Sequence, residues 1–373
     1  MPQGICWQLA SRLLVTVAAW VLGMGGLTPA STLAQSAPAA RPAAVQQVAQ
    51  TLRIVGGLAG LNQYTRNEEP FWTRELPRLT GGKYSAEIVP FDRAGVPGPD
   101  MLRLMQLGVV PFGTALLSNV SGQTPDLAAP DLAGLNPDVA SLRKNLAAFR
   151  PYMEKTLRER HGVELLAVYT YPAQVVFCKK PLANLGDLAG RKVRVSSATQ
   201  SDMMSALKAT PVLMGLTQIA PNLSNGNVDC AITGSMSGNT LGLHEITSHI
   251  HAMPITWGLA LFGANHTAWT DLPADLRSRL ALELPRLEAA IWAESERETA
   301  EGFACNKGAG NCSSGKPGRM TEVPTTAQDD ARRKDIFTST VLPNWLQRCN
   351  GRCNDLWNQT IGAVTGIKAR PGP

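Results

Sequence analysis

One arginine, Arg194, sits inside the short apolar strand sequence Lys192-Val193-Arg194-Val195. A cation there is costly unless an anion meets it. Its guanidinium is a planar fork of donors that matches a carboxylate bidentately and stays charged at any ordinary pH. The anion is either an internal acid, with Asp187 and Asp229 the candidates, or the carboxylate of a ligand. The first choice makes Arg194 a structural residue and the second makes it a clamp. Other chemistries fare less well. Gly234-Ser235-Met236-Ser237-Gly238 has the outline of a nucleophile elbow, but Met236 holds the central position. In the stretch His244 to His251 the first two histidines are five residues apart, so they do not share a helix face as a zinc pair would.

The elements that must position Arg194 follow from periodicity. Leu52–Val55, Tyr84–Pro90 and Phe112–Leu117 read as strands separated by helical segments, one running to Leu79 and one opening at Pro97. Such alternation predicts an α/β lobe with a mainly parallel sheet. Open sheets of this kind bind ligands at the carboxyl ends of their strands. The loop Leu58 to Glu69, with Tyr64, is therefore expected at a cleft, as are Pro97 to Asp100 and Ser118 to Gln123. Val139 to Arg160 is helical with a break near Pro151. Strands at Leu165–Tyr171 and Gln174–Lys179 flank Pro172, a crossing from one lobe to the next. Tyr171 and Trp257 lie near such crossings, where they either stack on a ligand or pack the hinge. Asp271 is expected to cap a long helix with leucines at helical spacing, kinked at Pro285.

The order of three phrases is more specific than any one of them. Asp187-Leu188-Ala189-Gly190-Arg191-Lys192-Val193-Arg194-Val195 is followed by Pro211 and then by Leu223-Ser224-Asn225-Gly226-Asn227-Val228-Asp229. Upstream stand Phe71-Trp72, the turn Leu79-Thr80-Gly81-Gly82-Lys83, and a helix from Met101 to Val109 entering a strand. From about Leu52 to Trp292 the chain resembles the solute-binding subunits of TRAP (tripartite ATP-independent periplasmic) transporters, in their dicarboxylate-binding type. The resemblance implies a two-lobed periplasmic binding protein fold with strand crossovers and a long bent helix spanning both lobes. It makes Arg194 the ligand's carboxylate clamp, with Gln174 as a second polar contact and Thr233 where the family carries an asparagine over the ligand. Ser235, two residues on, joins this group, and Leu216 falls near the position of a covering aromatic. Neutral Gln174 and Thr233 with apolar Leu216 suit a less charged or more apolar acid than a sugar acid. The resemblance also implies a small organic acid ligand, the membrane subunits of a TRAP transporter as partner, and no cofactor. A ligand sensor for a membrane receptor uses the same fold and is the alternative, with a periplasmic enzyme behind it.

Composition agrees with a globular, exported binder. The chain has 373 residues, enough for two domains of roughly 150 residues. It is 44% hydrophobic and 17% charged, and its net charge of +6 is scattered rather than gathered into a nucleic-acid-binding stripe. The uncharged run Leu13 to Leu27 after Arg12, followed by the small-residue site Thr32-Leu33-Ala34, reads as a cleavable signal peptide over residues 1–34, which directs the protein to the periplasm. Residues 35–50, rich in Ala, Pro and Gln, form a flexible leader. Lobe 1 is expected over 51–171 with 260–300. Lobe 2 takes 172–259 with a stapled segment over 301–373, and the whole is expected to be a monomer. Six cysteines follow the signal, which in an exported chain suggests three disulfides. Cys305–Cys312 and Cys349–Cys353 are the simplest local closures, and Cys178 and Cys230 sit on strands of one lobe. Zinc at the four C-terminal cysteines is disfavoured because no C-x2-C knuckle is present.

Overall fold

A computed structural model of the chain describes residues 50–369. The signal-peptide and leader expectations therefore lie outside the described residues. Two sheets organise the remainder. The first has strand order β2-β1-β3-β10-β4, built from β1 (Gln50–Gly56), β2 (Tyr84–Pro90), β3 (Phe112–Leu116), β4 (Val163–Tyr169) and β10 (Ala260–Asn265). β1 runs parallel to β2 and β3, as the alternation of strand and helix predicts. β10, arriving late in the chain, inserts antiparallel between β3 and β4, so this sheet is mixed rather than mainly parallel.

The second sheet has order β11-β9-β5-β8-β6-β7. Its strands are β5 (Gln174–Cys178), β6 (Lys192–Val195), β7 (Thr210–Leu213), β8 (Cys230–Gly234), β9 (His249–His251) and β11 (Thr321–Val323). Every residue of β5 and β8 is buried, as expected of central strands covered on both faces. These two strands are antiparallel, with Cys178 directly opposite Cys230, and the two cysteines form a disulfide. Cys305–Cys312 and Cys349–Cys353 are also bonded.

The chain passes between the sheets twice in adjacent lines. Thr170 to Ala173 carries β4 into β5, and Thr256, bridged to Gln174, leads back to β10. A third link is the 34-residue helix Ala274–Lys307, ~51 Å long at 1.5 Å per residue. Its first half buries Leu276, Leu280, Leu284, Leu287 and Ile291 in the apolar cluster of the first lobe, beside Trp72 and Phe262. Its second half packs on the helix Ser235–Thr240 of the second lobe. There Gly302 approaches so closely that an added Cβ would meet the backbone of Ser235 and Met236. Asn306 Nδ2 donates to Ser235 O at 2.9 Å.

Two helix expectations need correction. Asp271 does not cap the long helix. It ends the short helix His266–Thr270, and Pro273 stands at the N-cap of the long one. Nor does Pro151 break the helix Val139–His161, although proline removes one hydrogen bond there. The fully buried Phe149 and Met153 hold the helix against the core on both sides of the proline. Arg150 pins the same turn through a bidentate pair with Glu288 at 2.6 and 2.8 Å.

Candidate functional site

Between the two sheets lies a cavity of ≈ 510 Å³ into which both lobes and both crossings project. The first lobe supplies Leu58, Leu61, Phe91, Asp92, Leu116, Ser118 and Asn119. The crossings supply Tyr171, Gly258 and Leu259. The second lobe supplies Gln174, Arg194, Ser196, Ser197, Leu213, Met214, Leu216, Thr233 and Ser237. The contributing loops follow the carboxyl ends of β1, β2, β3 and β6, where strand geometry opens a crevice.

Arg194 is placed by the alternation of β6. Val193 and Val195 are fully buried in the core behind the strand, so Arg194 points to the other side and lines the cavity while only 3% exposed. Its Nε and one terminal nitrogen donate to Met214 O at 3.0 and 2.8 Å, and the other terminal nitrogen donates to Ile232 O at 2.6 Å. These bonds use three of the five N–H donors a guanidinium carries. Neither internal acid meets it. Asp187 accepts from Ala183 N at 2.6 Å, and Asp229 accepts from Lys192 N at 2.8 Å. Burial alone lowers the guanidinium pKa to about 10, which leaves it charged at neutral pH. The structure thus holds a desolvated cation braced by two carbonyls, with no carboxylate partner among the described residues.

The chain just beyond β6 adds to the positive character. Ser196, Ser197 and Ala198 line the cavity at the N-terminus of the helix Ala198–Ala206, which Ser197 caps by accepting from Gln200 N at 3.2 Å. The first turn of a helix carries unpaired N–H groups and partial positive charge, favourable to an anion. Neutral groups complete this wall. Gln174 and Thr233, one register step apart at the same end of β5 and β8, are both buried and both line the cavity. Gln174 Nε2 donates to Pro172 O at 3.3 Å.

Five of the eight candidate binding residues therefore come together: Arg194, Gln174, Thr233, Leu216 and Tyr171. Three lie elsewhere. Tyr64 turns into the first lobe, where its hydroxyl donates to Ile88 O at 3.3 Å; its loop reaches the cleft through Leu58 and Leu61 instead. Ser235 is buried against the long helix and donates to Thr299 O at 3.0 Å; it begins a helix whose opposite side, at Ser237 in the same turn, faces the cavity. Trp257 donates through Nε1 to Asn136 O at 3.2 Å and borders a separate cavity, of ≈ 450 Å³, beside Pro137 and Thr299.

Sequence reasoning missed two acids near the crossings, the half-buried Asp131 and the fully buried Glu68. Asp131 accepts from Trp257 N at 2.9 Å and from Gly258 N at 2.7 Å. It thereby holds Gly258 at φ +73°, a conformation suited to glycine, beside Gln174. Glu68 accepts from Gly57 N, Gln63 Nε2 and Thr114 Oγ1 at 3.1, 3.0 and 2.9 Å, tying the first loop to β3. Burial pushes both carboxyls up to about 7. Isolated acids in loop sequence carry no periodic signal, so only the fold reveals them. Ser196 and Ser197 were likewise not singled out, whereas Ser118 and Asn119 lie in the Ser118–Gln123 segment expected at the cleft.

Among the described residues no group of three or more His, Cys, Asp or Glu is placed to hold a metal ion, and no helix is long and apolar enough to cross a membrane. Comparison with known proteins adds the following. The family described as bacterial extracellular solute-binding protein, family 7, matches residues 60–308. The C4-dicarboxylate-binding periplasmic protein of Rhodobacter capsulatus is 25% identical over 206 residues, which cover 54% of this chain and 61% of that protein. The match thus spans about three-fifths of that relative's length. Among solved structures, a Bordetella pertussis extracytoplasmic solute receptor binding pyroglutamic acid superposes with a TM-score of 0.71 at 22% identity, covering 80% of this chain and 95% of its own. A TRAP periplasmic solute binding protein from Desulfovibrio salexigens with bound orotic acid gives 0.73 at 16% identity, covering 85% and 99%. These two establish the likeness of fold.

Proposed function

Because this chain belongs to family 7 of the bacterial extracellular solute-binding proteins, we propose that it captures an organic acid between its lobes and delivers it to the membrane subunits of a TRAP-type transporter. The observation that carries this reading is Arg194, a nearly fully buried cation in the cavity wall whose protein partners are carbonyls only. A ligand carboxylate supplies the missing anion, and the N-terminus of Ala198–Ala206 supports the same charge. Gln174 and Thr233 contribute neutral hydrogen bonds to the rest of the molecule. The protein acts outside the cytoplasm as a monomer, exported by its N-terminal apolar segment.

Capture works by closure. The two crossings, Thr170–Ala173 and the segment from Thr256 to Leu259, are short and adjacent, so one lobe can rotate on the other with few torsions changed. Ligand touching both walls favours the closed arrangement and shifts an existing equilibrium. The transporter's membrane subunits then read the closed form. No bond is broken in this cycle. Among the residues lining the cavity none is a histidine or cysteine that would serve as base or nucleophile.

A thermal-shift screen of the purified protein against carboxylic acids tests the reading. A ligand at a hundred times its Kd adds about 2.7 kcal/mol of apparent stability. Mass spectrometry after long incubation should return the same acid in a one-to-one complex. Steady turnover of the acid, or no stabilisation by any carboxylate, would overturn the proposal.

A further inference from the structure

Resting on the clamp reading above, we infer that the cleft selects acids with a single carboxylate and an apolar body, and that Asp92 is the residue that turns away a second carboxylate. The charges lining the cavity carry this. Arg194 is its one basic side chain and Asp92 its one acidic side chain among the described residues. They come from different lobes: Arg194 from β6 of the second, Asp92 from the turn immediately after β2 of the first. Asp92 Oδ1 accepts from Ala59 N at 3.0 Å, which fixes the exposed carboxylate at the first-lobe rim of the cavity, and among the described residues no ion pair neutralises it.

Between the two charges the walls are mostly apolar. Leu58, Phe91 and Leu116 face the cavity from the first lobe, Leu213 and Leu216 from the second, and Leu259 from a crossing. Leu213 is 67% exposed, which leaves apolar surface in this wall for a ligand's body to bury. An acid anchored by its carboxylate on Arg194 directs its body along these side chains towards the first lobe. A hydrocarbon body gains burial there, and a hydroxyl or amide finds Ser118, Asn119 or Thr233. A second carboxylate finds no cation in this wall. It would lose water without a countercharge and would share the site with Asp92.

Calorimetric titration of the purified full chain tests the inference. The probes are straight-chain monocarboxylates of six to eight carbons and the dicarboxylates of the same lengths. The monocarboxylates are expected to bind at least about tenfold more tightly than their dicarboxylate counterparts, the scale of one unpaired like-charge encounter. Asp92→Asn keeps the bond from Ala59 N and removes the charge, so the ratio should shrink to roughly threefold or less. Asp92→Ala should shrink it similarly. Dicarboxylates binding as tightly as monocarboxylates in the unmodified protein would overturn the inference and leave the clamp intact. An unchanged ratio in both Asp92 variants would overturn the role of Asp92. Binding of neither class, or full binding by Arg194→Met, would instead sink the clamp reading on which the inference rests.

Discussion

Replacing Arg194 by methionine separates clamp from brace, and the structure gives both sides of the sum. Methionine keeps much of the aliphatic stem but removes the fork and its charge. On the binding side, a carboxylate entering the cleft would find its partner gone while still losing water. Truncating one member of such a buried charge pair costs about 2–5 kcal/mol, or roughly 30- to 5,000-fold in affinity. On the folding side, burial alone moves the guanidinium from 12.5 to about 10, equivalent to roughly 3 kcal/mol against the charged form. The substitution relieves that burden. It also strips Met214 O and Ile232 O of their donor, at about 1–3 kcal/mol each if water does not replace it. Both carbonyls lie close to the cavity, so water can reach them in part. The net change in stability should therefore stay within about 2 kcal/mol of zero. Titration calorimetry with the tightest acid from the screen reads the first quantity, and a melting curve without ligand reads the second. A variant that melts far lower yet binds the acid normally would refute the reasoning, because Arg194 would then be a brace.

Three further outcomes are expected. Glu68 is protonated in the folded protein up to about pH 7 but ionises near 4.5 when unfolded, so its stabilising share is complete below 4.5 and lost as pH rises to 7. Asp131 and Glu298, also raised to about 7 by burial, act with the same sign. Melting temperature should fall between pH 5 and 8, and Glu68→Gln should flatten the fall and gain on the order of 1–3 kcal/mol at pH 8; a rising profile would contradict this. Replacing Cys178 and Cys230 together by serine should cost about 2–4 kcal/mol by chemical denaturation, and the unaltered exported protein should show no free thiol when denatured. Gly302→Ala should cost about 1–3 kcal/mol or more, because the new methyl group meets backbone rather than a movable side chain; a melting point equal to that of the unaltered protein would show that the long helix is free to lift.

Strand positions were the most legible part of the fold. Tyr84–Pro90 and Lys192–Val195 have the same ends in sequence and structure, because alternating or wholly apolar runs bounded by turns leave few other choices. Prolines and caps were less legible. A proline signals a break only if nothing holds the two sides, and at Pro151 the core and the Arg150–Glu288 pair do hold them. Residues on strands reached the cavity in two ways: Arg194, paired with Ala231, shares its sheet face with Thr233, whereas Gln174 has the opposite parity and reaches the cavity from the first position of β5, beside the crossing. Loop and helix-start residues did not follow as simply. Tyr64 and Ser235 lie within three residues of Leu61 and Ser237, which do line the cavity, and nothing local says which side of the turn faces it. Trp257 was drawn away by the backbone bonds its own segment makes to Asp131, a partner over a hundred residues distant.

The bond between Cys178 and Cys230 has a bearing on the cleft that its position conceals. It joins β5 and β8 at one end, and the same two strands present Gln174 and Thr233 to the cavity at the other. A slip of one residue between paired strands would turn every side chain to the opposite face. Packing opposes such a slip; a covalent link four residues from Gln174 forbids it. The alignment of the binding wall is therefore written in an oxidised bond, and a chain matured in an oxidising compartment carries a guarantee of register that a reduced chain does not.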